Sequence, residues 1–199
     1  MRAIHAATIA LSLALATAVH AQSTQRIRGD IVSVEGSNLT VRTRAGELAS
    51  IRLADSHKVT AVVRTTPDAI VPGSYVGTAS MPQADGTGRA LEVLVFPESG
   101  RGSGEGHYAW DLRPGSMMTN ATVAEVVGVD NGRRMTLKYK DGEQTIVVPA
   151  DAPIVTFEPG TAQMLRPGAH VMLSARVQPD GSLAATGVAV GKDGLVPPM

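Results

Sequence analysis

Apolar and polar side chains alternate with a period of two in matching stretches of the chain. Leu39, Val41 and Thr43 alternate with Thr40, Arg42 and Arg44, and Met135, Leu137 and Tyr139 alternate with Thr136, Lys138 and Lys140. Successive side chains of an extended backbone point to opposite faces, so each stretch predicts a strand with one wet face. Gly46 and Asp141-Gly142 supply turn chemistry that folds these strands back onto 49–53 and 145–148. Two more strands follow in each half, at 75–81 and 90–96 around Asp85-Gly86, and at 170–177 and 184–190 around Asp180-Gly181. Between the third and fourth strands, Pro67–Ile70 and Thr161–Leu165 predict a single helical turn, opened by Thr66 or Thr161 and stopped by Pro72 or Pro167. The adjacent apolar pairs Ile31-Val32 and Val126-Val127 interrupt the alternation of the opening strand, which predicts a bulge in each.

The two stretches are copies of one unit. At an offset of 95 to 96 positions, residues 26–96 fall on 121–191: Val34 on Val129, Asp55 on Asp151, Pro72-Gly73 on Pro167-Gly168, Val93 on Val188. The drift of one position is assigned to a longer first turn in the second copy, at Asn131–Arg134. A repeat of this length decides the domain count before any finer reading. Strand, strand, strand, helical turn, strand, strand is the order of a small Greek-key barrel. The predicted fold class is therefore all-β: two tandem small Greek-key (OB-like) barrels, each with a short helical turn between strands 3 and 4, joined by a long Gly-rich linker. The expected boundaries are a signal peptide over 1–21, a first barrel over 22–97, a linker over 98–119, a second barrel over 120–194 and a tail over 195–199.

Gly29, Ile31, Val34, Leu39-Thr40-Val41, Gly46, Ile51, Val59, Pro72-Gly73, Val76, Asp85-Gly86, Ala90 and Val93 form a pattern that resembles exported bacterial proteins carrying tandem OB-fold-like domains of unknown function. The second copy departs from it at Ala124, which aligns with Gly29. The matching positions are turn and core residues, so the resemblance implies a fold and a compartment and brings no catalytic residue with it.

Composition narrows the function classes. Arg2, the apolar run 6–19 and the small residues at Ala21 make the pattern of a secretory signal peptide, which places the mature chain in the periplasm or outside the cell. No later stretch is long and apolar enough to suggest a membrane-spanning segment. The chain has no cysteine, so disulfides and thiolate metal sites are excluded. Basic and acidic residues number 18 each; loss of Arg2 with the signal takes the net charge from 0 to −1, which offers no general attraction to nucleic acid.

The linker carries the unusual chemistry. After a Gly/Ser-rich opening it reads Glu105-Gly106-His107-Tyr108-Ala109-Trp110-Asp111-Leu112 and holds the only Trp of a chain with six aromatic residues. Trp110, Leu112 and Met117 are expected either to plug the seam between the barrels or to form, through Tyr108 and Trp110, an aromatic platform for a ligand. Arg42 and Arg44 recur as Lys138 and Lys140 on the outer face of the second strand; they are expected either to form a solvated barrel wall whose charges deter edge pairing or, since OB barrels bind ligands on that face, to extend the candidate site toward an anionic glycan or an envelope protein. Nucleic acid is not expected there, because these strands carry no stacking aromatics. The alternative is a metal-handling protein of copper type using His107, Glu105, Asp111, Met117 and Met118, since thioether and imidazole suit that ion. No triad, phosphate loop or acid–base pair is present in the sequence, so the expected role is binding without catalysis and without a cofactor.

Overall fold

The structure, a computed structural model, describes residues 23–199; the expected signal peptide lies outside the described residues. The chain is all-β. Its strands are β1 (Thr24–Glu35), β2 (Asn38–Thr43), β3 (Leu48–Arg64), β4 (Tyr75–Pro82), β5 (Gly88–Ala90), β6 (Val93–Val95), β7 (Gly106–Ala109), β8 (Met117–Val129), β9 (Gly132–Tyr139), β10 (Gly142–Pro149), β11 (Ile154–Pro159), β12 (His170–Val177) and β13 (Leu183–Gly191). Three-residue 3-10 turns at Pro67–Ala69 and Ala162–Met164 precede β4 and β12. No helix of the described residues is long and apolar enough to cross a membrane.

The strands do not close copy by copy. β1, β2 and β3 of the first copy form a meander, and the circuit is completed by β13 and β12 of the second, with β3–β13 parallel and β1–β12 antiparallel. This is a closed five-strand barrel. A second ring runs the other way: β8, β9 and β10 of the second copy pair with β5 and β4 of the first, again with one parallel contact, β10–β5. The expected units 22–97 and 120–194 are thus interleaved rather than successive.

β3 carries the chain from one ring to the other. Its 17 residues contain no Gly or Pro; it bulges between Leu53 and Lys58, where four residues stand opposite the single Thr186 of β13, and then continues past the barrel. Its last residues cross the equivalent segment, β11, antiparallel, with Val62 opposite Phe157. Those two residues are equivalent in the repeat, so the crossing sits on a local twofold relating the copies.

Both interiors follow the alternation read from sequence. Ile27, Leu39, Val41 and Ile51 are fully buried in the barrel, and Val76, Met135, Leu137 and Ile146 in the second ring. Each such side chain contributes roughly 1.5–3 kcal/mol. β1 bulges after Ile31, as its apolar pair predicted. β8 bulges after Val123, not at Val126-Val127. Ile31 faces Val41 and Val123 faces Leu137, so Val123 is the counterpart of Ile31 and Val126 that of Val34. The β8–β9 hairpin is therefore longer by four residues; the one-residue drift undercounted it because two extra residues were added on each arm. On the same footing Ala121, not Ala124, stands in the place of Gly29.

A third cluster fills the seam: Val62 and Val155 from the crossing strands and Leu94 from β6, with Leu195 and Met199. The segment 195–199, read from sequence as a tail, supplies the seam plug that had been expected from Trp110 and Leu112.

Candidate binding groove

The expected linker is ordered around a strand. β7 pairs antiparallel with the start of β8, with Tyr108 opposite Met118. Asn120 fixes the pair: its Nδ2 donates to the Tyr108 hydroxyl at 2.9 Å and to the Gly104 carbonyl at 3.0 Å. Beyond β7 the Trp110 N–H donates to the Ser116 carbonyl at 2.8 Å, and Ser116 Oγ donates to the Trp110 carbonyl at 3.1 Å. This closed loop delivers the indole to β1 of the barrel. There the Arg26 guanidinium lies 3.9 Å from the ring centroid and that of Arg28 5.7 Å away, a cation–π arrangement. Tyr108 meets the indole edge-on at 6.1 Å.

Asp111 turns the same arginines into an ion-pair cluster, 2.8 Å from Arg28 Nη2 and 3.7 Å from Arg26 Nη1. Partial burial works to raise the Asp111 pKa, but the hydrogen bond from Arg28 and the two cations outweigh it and hold the carboxyl below its ordinary value. Arg28 also donates through Nε to the Met199 carbonyl at 2.8 Å, and Arg44 Nη2 to that of Pro197 at 2.9 Å. Burial, then the neighbouring Arg28 cation, lower the Arg44 pKa, with Asp30 opposing them. The result is a groove of about 320 Å³ lined by Gln25–Arg28, Thr43–Ala45, Glu47, Asp111 and Leu112. Thr43 Oγ1 and Trp110 Nε1, both buried, have no hydrogen-bond partner among the described residues.

Of the residues singled out in the sequence, Tyr108, Trp110 and Arg44 come together around this groove. Arg42 lies on the exposed face of β2 opposite Asp30, and Lys138 and Lys140 belong to the second ring, where the Lys140 N–H donates to Glu105. The metal candidates are spread out. His107 stacks on Tyr139 and engages Thr119 Oγ1 through Nδ1, Glu105 accepts from Lys140, Asp111 is held by arginines, and Met118 is buried on β8 opposite Tyr108. Among the described residues no three His, Asp or Glu side chains converge as ligands. Sequence reasoning missed Arg26 and Arg28. Their signal was present in Gln25-Arg26-Ile27-Arg28-Gly29, a period-two stretch with two cations on one face.

Comparison of the chain with protein-family models, with curated proteins and with solved structures found no match.

Proposed function

We propose that the protein is an exported, periplasmic binding or adaptor protein without catalytic activity, built on two interleaved OB-like barrels. The strand order 1-2-3-5-4 with a parallel 3–5 contact in both rings supports the OB-like reading. The carrying observation is the groove that Arg26, Arg28 and Arg44 line together with the carboxylates of Glu47 and Asp111, Arg26 and Arg28 lying over the Trp110 ring. Arginine forks match the paired oxygens of carboxylate, sulfate and phosphate, so the expected ligand is an anionic envelope component. One face of Trp110 is already engaged by Arg26, which makes the indole a clamp for the cation rather than a bare stacking surface.

As the only Trp of the chain, Trp110 reports on the site directly. Titration with a sulfated hexasaccharide shifts its emission, the neutral hexasaccharide does not, and Arg44→Ala weakens the response at least tenfold. Indifference of the fluorescence to every anionic probe would rule the reading out.

A further inference from the structure

β7 and β1 pose one question twice. In the second ring, Met117–Asn120 of β8 has β4 on one side and β7 on the other. The barrel's equivalent is Gln25–Arg28 of β1, because Gly29 and Val171 pair there as Ala121 and Val76 do in the second ring. Gln25–Arg28 pairs with β12 on one side; on the other, β2 joins from Gly29 onward and the Arg44 N–H donates to the Arg28 carbonyl at 3.0 Å, so the open edge is Gln25–Ile27. The position that β7 fills in the second ring is, in the barrel, the arginine groove: Gln25–Arg28 form one wall, Thr43–Ala45 and Glu47 the other.

We infer that this groove binds an extended acidic peptide segment as an added antiparallel strand on β1. The inference rests on the proposed binding role and names its ligand class. A strand edge carries backbone donors and acceptors that an incoming strand satisfies, and β-augmentation draws affinity from those bonds and specificity from alternate side chains. The chain itself holds the precedent, since β7 adds to the equivalent edge in the register His107 opposite Thr119 and Tyr108 opposite Met118. Where β8 presents Met118 and Asn120, β1 presents Arg26 and Arg28, with Arg44 from the neighbouring turn. Acidic side chains at alternate positions of the incoming strand complement them. A second copy of this chain does not fit, because its corresponding edge carries the same three cations and like charges at an edge deter pairing. Arg28 already pairs with Asp111 and donates to the backbone oxygen of Met199, and Arg44 donates to that of Pro197; carboxylates of the incoming strand compete with these acceptors, and Arg26, more exposed than Arg28, meets them first.

The test uses the full chain and four capped hexapeptides read by Trp110 emission: alternating Glu-Val, alternating Lys-Val, and two Glu-Val peptides N-methylated at alternate backbone positions, one in each register. Binding of the Glu-Val peptide, none of the Lys-Val peptide, and at least tenfold weakening by one register of N-methylation but not the other are expected. Arg26→Glu weakens the Glu-Val peptide at least tenfold and is checked for folding by its circular-dichroism spectrum; Arg44→Glu, at the exposed turn, repeats the measurement should that spectrum change. Equal binding of both N-methylated peptides and the parent overturns strand addition while leaving an anion groove in place. Failure of the Glu-Val peptide alongside binding of the sulfated hexasaccharide also overturns strand addition, and failure of both ligands removes the groove reading as well.

Discussion

The barrel and the second ring are built from the same repeat, and they agree inside while differing at their edges and bulges. Leu39, Val41 and Ile51 correspond to Met135, Leu137 and Ile146, and all six are fully buried. The differences begin where strands part. Ala185 and Val188 of β13 flank Thr186-Gly187, whereas the matching Ala90 and Val93 flank Leu91-Glu92, and Glu92 is only 1% exposed. Its Oε1 accepts the Ala79 N–H at 2.8 Å, so a carboxyl occupies the gap between the β4–β5 and β4–β6 pairings that in the barrel is left to a glycine. Core positions are constrained from every side by packing; a bulge answers only to local hydrogen bonding, and there the copies have diverged.

Truncating equivalent core residues has the largest expected effect on the two rings. Leu39→Ala and Met135→Ala should each cost about 2–5 kcal/mol. Because each ring borrows strands from both copies, either substitution should lower a single cooperative thermal transition followed by far-UV circular dichroism. Two separate transitions, with each variant moving only one, would show that the rings are independent and that the strand exchange is not the native arrangement.

Glu92 distinguishes the rings by pH. Burial pushes its carboxyl up to about 8, against the pull of the Ala79 N–H and the Arg28 charge, from an ordinary value of 4.5. The folded protein therefore holds this proton more tightly than the unfolded chain does. Below about pH 4.5 both states are protonated and the group is neutral in the balance; from there to about pH 8 stability falls, and above that the penalty is constant. The loss is of order a few kcal/mol across the window. Glu92→Gln keeps the acceptor for Ala79 and should flatten the slope, measured as urea midpoints at pH 5, 6.5 and 8. A wild-type midpoint that does not fall across that range would contradict the assignment.

A smaller effect separates the two strand edges. Tyr108→Phe removes the hydroxyl that Asn120 Nδ2 donates to and that bonds Gly104, at a cost of about 1 kcal/mol. Amide exchange should quicken at His107 and Ala109 while β1, which carries no such strand, is unchanged. Equal protection in the variant and the parent would mean that backbone pairing alone holds β7.

The degree to which the chain could be read in advance follows the same division. Period-two alternation located β2 and β9, because a half-buried strand writes its burial pattern directly into side-chain type; β4, buried on both faces, and β12 were legible from the Pro-Gly and Asp-Gly turns that bound them. Alternation could not say which copy each strand joins, because exchanged and unexchanged pairings bury the same faces of the same residues. β11 was passed over for a related reason. Val155, Thr156 and Phe157 are too few to show a period, and their partners lie in the other copy. Of the groove, the aromatic half was visible as the sole Trp beside a Tyr, but Arg26 and Arg28 matter only because the chain returns to them after some 80 residues.

The subtlest contrast lies in the first hairpin of each copy. The β1–β2 turn places positive φ at Gly36, immediately after Glu35, whereas the β8–β9 turn places it at Asn131, one position later between Val129 and Gly132. Positive φ at the first central residue belongs to the turn family whose twist matches that of paired strands; at the second alone it belongs to a family that splays them. The longer arms of the second hairpin compensate with two additional strand pairings, Gly128 with Arg133 and Val129 with Gly132. Asn131→Gly should accordingly raise stability by a few tenths of a kcal/mol, because glycine adopts the left-handed region without the Cβ contact that asparagine tolerates at some cost. Gly36→Asn should lower it by a similar amount. Opposite signs from this reciprocal pair, measured as urea midpoints, are the expected result; a shared sign would mean that arm length, and not turn conformation, sets the stability of both hairpins.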